Sequence, residues 1–451
     1  MSEFLFQYHP VAPATWAYLS SILMLCLFFK FSRVWSLRNL DLILLILLFP
    51  GVLILHLGYE MQRKGTDSGA VPRDTDPQTQ GDGSRAAEPP TSTTLDAASV
   101  TKRYGYFWLL GAEALWLIRL LIDPAFSRRP LLTPNLTVGG LSLMGFALFC
   151  FLMANVISGG LQTRSLIGSV DPGLARMDRL MEYYGDRGPG YAVLNELPVS
   201  ANRTLAVISH TAIIVGMILI GLRHFDNVTN GIGAAMLYLM LPYTTQMTGR
   251  LDHFLPAAFL VWAILCYRHP WFSGFFLGMA AGCVYYPLFL LPLWLSFYQH
   301  RGWIRFLMGV VMALALLTVG LIFTPSTPGM WGDLQRMFGL LAPAMKDLEG
   351  IWSERYGGLV PSYRIPVLAT FAALSCSMAL WPAHKNLATL ISCSAALMLG
   401  TQFWHGWGGG LYIAWCLPLL LLTIFRPNLE DRVATAVVRQ LWSPRRSAKA
   451  A

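Results

Sequence analysis

Apolar runs alternate with short polar turns along nearly the whole chain. Runs near residues 14–31, 38–58, 104–122, 138–158, 204–222, 229–246, 252–267, 303–324, 365–382, 386–404 and 409–425 each read as a helix crossing a membrane. A hydrocarbon core about 30 Å thick takes about 20 apolar residues in a helix. One further stretch, 272–299, is longer and is interrupted by Tyr285-Tyr286-Pro287. Proline removes a backbone donor and disfavours helix in the residue before it, so one kinked crossing and two short ones both fit the pattern.

Charge separates the two. If the stretch turns back at Tyr286-Pro287, then "KFSR", "FSRR", "LRHF", "YRHP", "QHRGWIR", "AHKN" and the C-terminal "SPRRSAKAA" share one side, and Arg250 alone remains in the short loops of the other. Cytoplasmic loops carry the excess of Lys and Arg. The pattern therefore predicts an all-α, polytopic transmembrane bundle of about thirteen crossings, N-terminus outside and C-terminus in the cytoplasm. Its units are two crossings over 1–58, two over 104–158, a bundle over 204–324 broken at 285–287, three crossings over 365–425 and a basic tail over 426–451.

Three long segments fall outside. Residues 59–103 are rich in Gly, Pro, Ser, Thr and Asp, cannot bury enough surface to fold, and read as disordered. In 159–203, Leu174, Met177, Met181 and Tyr184 recur at helical spacing behind an Asp171-Pro172 cap. In 325–364, Leu334, Met337, Leu340 and Leu341 fall on one helical face. Two amphipathic helices at an outer mouth would suit a lipid-linked substrate.

Composition agrees: 55% of residues are hydrophobic and 13% charged, where soluble domains carry about 25% charged. The net charge of +9 fits basic loops against anionic lipid and implies no nucleic acid. All seven cysteines lie in apolar runs without metal or CxxC spacing, which argues against disulfides or a zinc site. No Lys or Arg precedes the first run, so it reads as a retained crossing, not a signal peptide.

The candidate chemistry starts at "QMTGRLDHFLP", which places Arg250, Asp252 and His253 at the start of a crossing. Such groups face a bundle interior or wet cavity, or else snorkel to the interface. "GTQFWHGWGGGLY" sets His405 between Trp404 and Trp407 ahead of three glycines. Asp171 and Asp178 share one helical face, each either a general base or a solvated carboxylate. Arg355 and Arg364 flank "YGGLVPSY" and suit phosphate or lipid headgroups alike.

The run from Gly249 to Leu295 resembles the central segment of GT-C superfamily glycosyltransferases, especially bacterial polyprenol-phosphate-mannose-dependent mannosyltransferases. The matching pieces are Gly249 to Asp252, Arg268-His269-Pro270, Gly278 to Gly282, and Tyr286-Pro287 leading into Leu288 to Pro292. "FWHGWGGGLYIAWCLPLLLL" is similar to the family's late span, and Asp171, Gly185 and Tyr191 approximate its first outer loop. Val284-Tyr285 stand where the family often has a Lys, and four crossings precede the loop where the family has one.

The resemblance implies a polyprenyl-phosphate-sugar donor and a lipid or glycan acceptor, joined at the outer face of a bacterial plasma membrane. It implies Asp171 as base, with Asp178 or Asp252 as alternates. Arg250, His253, Tyr286, Arg355, Arg364 and His405 would bind phosphate or sugar. No cofactor is obligatory; a divalent metal fits the chemistry, though no ligand cluster stands out. The rival classes are an envelope polysaccharide polymerase or ligase and a transporter. For a transporter the mid-crossing candidates are Glu113, Arg119, His56 and His210, with Arg119 either a partner of Glu113 or snorkelling at the cytoplasmic end of its crossing.

Overall fold

Where the sequence is apolar the chain is helical, and proline, glycine and short polar caps decide where each helix stops. The computed structural model describes residues 12–67, 92–125, 132–158, 187–195, 198–323, 330–354, 357–429 and 432–433. The first helices are α1 (Pro13–Phe28), α2 (Leu37–Asp67), α3 (Ser92–Ile122), α4 (Val138–Ser158) and the short α5 (Pro189–Asn195). Then come α6 (Val199–Arg223), α7 (Val228–Met240), α8 (Pro242–Met247), α9 (Leu251–Leu265) and α10 (Pro270–Cys283). The last are α11 (Leu291–Phe297), α12 (Trp303–Gly320), α13 (Met330–Met337), α14 (Arg364–Ser377), α15 (Leu387–Gly400) and α16 (Leu417–Phe425). Among the described residues no β-sheet forms; two isolated bridges, Arg187 with Val284 and Glu349 with Trp407, join loops.

Local chemistry explains the ends. Asn227 caps α7 by accepting from the Asn230 amide at 3.2 Å. Asn386 and Thr389 form a reciprocal capping box at the start of α15. Among the described residues four helices, over Leu37–Arg63, Asp96–Ala125, Ser200–Arg223 and Trp303–Gly320, are long and apolar enough to cross a membrane. Other apolar helices are shorter, which corrects the expectation of unbroken runs. The run 229–246 divides at Leu241-Pro242, and in 409–425 the α-helix is confined to Leu417–Phe425, with a 3-10 turn over Ile413–Trp415 before it.

The 272–299 stretch also breaks. α10 ends at Cys283, and a 3-10 turn over Tyr286–Leu290 leads into α11. The Tyr298 hydroxyl then donates to the Tyr267 carbonyl at 2.5 Å, and Trp294 stacks on Phe306. The chain after the break therefore runs back toward the start of α10.

Two of the segments expected outside differ from expectation. Helix extends to Asp67 and resumes at Ser92, so the stretch expected to be disordered over 59–103 is partly helical. The reason is a tertiary strut: the Tyr59 and Tyr106 hydroxyls bond at 2.7 Å, and the buried Lys102 ammonium lies 4.5 Å from the Tyr59 ring centroid. In 325–364 the helix stops at Met337, which leaves Leu340 and Leu341 off its face. Gly339, at φ +64°, ends it, and a Cβ there would lie 2.8 Å from the Tyr285 ring. The amphipathic pattern at 174–184 lies outside the described residues.

Contacts sort the turns between two ends. At one end Arg119 binds Asp41 at 2.7 Å and Asp123 at 2.8 Å, and Arg426 reaches Asp123 as well. Lys30 donates to Asn135 at 2.7 Å and His224 meets the Leu265 carbonyl at 2.9 Å there. Of the two alternatives for Arg119, pairing with Glu113 is not seen; Arg119 is held by two aspartates near its helix end. The opposite end gathers the Arg187–Val284 and Glu349–Trp407 bridges and the contact of Arg103 with the Gly357 carbonyl.

α10 and α12 touch through small residues, as helices in lipid do. A Cβ on Gly309 would lie 2.1 Å from the Trp271 carbonyl oxygen. Gly309→Val should therefore destabilise by more than the about 1–3 kcal/mol usual for overpacking, because a backbone and not a side chain must move. Gly145→Ala, with no atom within 4 Å of the new methyl, should be neutral. Melting temperatures of the two variants in detergent check this; equal values would contradict the close helix contact.

Candidate polar site at the loop end of the bundle

The chain leaves α8 at Met247, turns through Thr248 and Gly249, and starts α9 at Leu251 with Arg250 as an extended cap. The Arg250 amide donates to Met247 and the His253 amide to Arg250, so the turn itself brings three ionisable side chains together. Asp252 falls in the first helical turn, where the helix dipole favours a carboxylate.

All three are buried: Arg250 is 8% exposed, Asp252 1% and His253 2%. The Arg–Asp pair that the snorkelling reading also expects is present, and it lies inside the fold. Arg250 grips Asp252 through both ends of its fork, Nε to Oδ1 at 3.1 Å and Nη2 to Oδ2 at 2.6 Å. Arg187, 3% exposed, approaches Oδ2 at 3.4 Å from the far end of the 159–203 segment. His253 Nε2 lies 4.0 Å from the same oxygen.

An aromatic wall adjoins this cluster. The Tyr243 hydroxyl donates to the Leu411 carbonyl and meets His253 Nδ1 at 2.5 Å. With the phenol proton directed to Leu411, Nδ1 is the donor of that second bond. His253 stacks on Tyr412 with ring centroids 4.7 Å apart, and Tyr412 stacks on Trp415. The Trp415 indole donates to the Asp252 carbonyl at 2.9 Å, tying the wall to the ionic cluster.

His405 is fully buried, 4.8 Å from the Tyr412 ring and 5.4 Å from Tyr286; its Nδ1 accepts from the Trp407 amide. The turn that carries it needs glycine, because Gly408 and Gly410 sit at φ +74° and +95°. Gln402 Oε1 secures the turn by accepting from the Gly410 and Tyr412 amides.

The structure thus brings Arg250, Asp252, His253, Tyr286 and His405 to one region. Arg364 is close by but engaged: it donates to the carbonyls of Trp404 and Ala344, and its guanidinium lies 5.5 Å from the Trp407 ring centroid. Its contacts hold the loop behind His405. Asp171, Asp178 and Arg355 lie outside the described residues. Sequence reasoning did not single out Arg187, Tyr243 or buried Glu349, whose amide donates to Gly406 at 2.9 Å. A signal for Arg187 was present in its setting, "DRGPG", where glycines permit close backbone approach; Tyr243 and Glu349 carried none.

Among the described residues no three His, Cys, Asp or Glu side chains gather as a metal ion would need. No protein-family model, curated protein or solved structure matches the chain.

Proposed function

We propose that this membrane protein is a glycosyltransferase that moves a sugar from a polyprenyl-phosphate-linked donor to an acceptor hydroxyl at the outer face. The observation that carries the reading is the convergence of Arg187 and Arg250, from separate segments, on buried Asp252 beside the aromatic wall of Tyr286, His405, Tyr412 and Trp415. Guanidinium forks match phosphate oxygens, and aromatic rings suit the apolar face of a sugar. The GT-C resemblance points to the same chemistry.

In this reading Asp171, or Asp178, takes the proton of the acceptor hydroxyl as its oxygen attacks the anomeric carbon. The bond from that carbon to the phosphate oxygen breaks, and cations stabilise the phosphate that leaves. Asp252, bonded by both arginines, orients them rather than acting as base. His253, His405 and Arg355 are candidates for sugar or phosphate contacts, and Arg364 supports the loop that carries His405. The departing phosphate carries its charge without a cofactor, and a divalent metal would be an accessory. The acceptor is a lipid or glycan, and the membrane is the bacterial plasma membrane.

The binding half is tested with a short-chain polyprenyl-phosphate-mannose and purified protein. A hydrogen bond to a charged group contributes about 1.5–3 kcal/mol, so Arg250→Lys should weaken binding by about 10- to 100-fold. Undiminished binding by that variant would remove Arg250 from the phosphate site.

The reading also takes the bundle as about thirteen crossings, supported by the sorting of basic turns to one end. In a cysteine-free background, Leu340→Cys should react with an impermeant thiol reagent from outside, while Trp35→Cys should not; both positions are exposed, at 71% and 86%. The reverse pattern in intact cells would overturn the sidedness.

A further inference from the structure

Outside this site, the most unusual group is Glu113. It lies midway along α3, within one of the four helices long enough to cross a membrane, and is fully buried. Among the described residues neither of its carboxyl oxygens has a hydrogen-bond partner. One turn further along the same face, Trp116 buries an indole N–H that also has none. Arg119, two turns along, is held by Asp41 and Asp123.

A carboxylate without donors or a cation is very costly in a low-dielectric interior, whereas the neutral acid is tolerated. One turn before Glu113, the Leu109 and Leu110 side chains of α3 pack on Gly410, where a Cβ would lie 3.3 and 3.6 Å from them, next to Leu411, whose carbonyl accepts from Tyr243. Tyr243 is the residue whose hydroxyl meets His253 Nδ1 at 2.5 Å, and His253 neighbours Asp252. A buried acid therefore lies one helical turn from the contact with the loop that anchors Tyr243 and, through it, a phenol–imidazole pair of the polar site.

We propose that Glu113 is a proton-binding site inside the bundle, a carboxylic acid that keeps its proton behind the Tyr243–His253 pair of the outer site. The inference does not depend on sugar transfer, since an intramembrane acid would serve a transporter as well.

The test is infrared difference spectroscopy of the full-length protein in detergent, which separates the C=O stretch of a carboxylic acid from the bands of carboxylates. The wild-type spectrum should contain an acid band that is lost in Glu113→Gln and moved in frequency in Glu113→Asp. The aspartate variant keeps the chemistry if the glutamine variant does not fold. Tyr243→Phe should displace the band, because it frees the Leu411 carbonyl of the loop packed on α3 beside Glu113. An acid band unchanged by both Glu113 variants, or no such band in wild type, overturns the proton site. A band unmoved by Tyr243→Phe overturns its link to the outer site.

Discussion

Asparagine in place of Asp171 is expected to slow sugar transfer by about 10²–10⁴-fold, the usual contribution of a general base. The hypothesis rests on the position of Asp171 in a segment whose far end, at Arg187, reaches Asp252. Asparagine keeps the shape and removes the proton acceptor. Binding of the donor should persist, because the proposal gives that task to the arginines and the aromatic wall. The check is a single-turnover rate beside a binding measurement on the same preparation. A variant as fast as wild type would move the base to Asp178 or another group.

The second large effect concerns stability. Asp252→Ala leaves the Arg187 and Arg250 guanidiniums facing each other at positions 3% and 8% exposed. Breaking a buried ion pair by removing one partner typically costs about 3–5 kcal/mol, because the remaining charge is uncompensated. Adding Arg250→Ala to Asp252→Ala should recover part of that loss, since it removes one of the two cations that shared the lost carboxylate. Thermal unfolding in detergent reads both variants. If Asp252→Ala melts with wild type, the ionic cluster does not stabilise the fold.

Helical class was legible in the sequence because apolar period and length are local properties, and the caps at Asn227 and Asn386 are local as well. Interior breaks were less legible. Pro242 and Pro287 are visible as residues, but whether a proline kinks, ends or reverses a helix depends on what packs beside it. Gly339 shows the same limit, since its neighbour Tyr285 is brought there only by the fold.

In the candidate site, Arg250, Asp252 and His253 are sequence neighbours on one turn and could be seen together. Arg187 lies 65 positions from Asp252, so its contact is tertiary. Tyr243 is separated by 168 positions from Leu411, whose carbonyl fixes its hydroxyl, and no periodicity reports such a bond. Arg364 illustrates the converse: a flanking arginine that suited phosphate in the sequence donates to two backbone carbonyls in the fold.

The most direct measurement is product formation by purified wild-type protein in detergent, with a panel of polyprenyl-phosphate-sugars and lipid or glycan acceptors. Detergent abolishes compartments, so transport cannot imitate chemistry. The account predicts a glycosylated acceptor together with free polyprenyl phosphate in equal amounts. Donor that binds and is recovered intact with every acceptor would contradict transferase activity and favour a transporter.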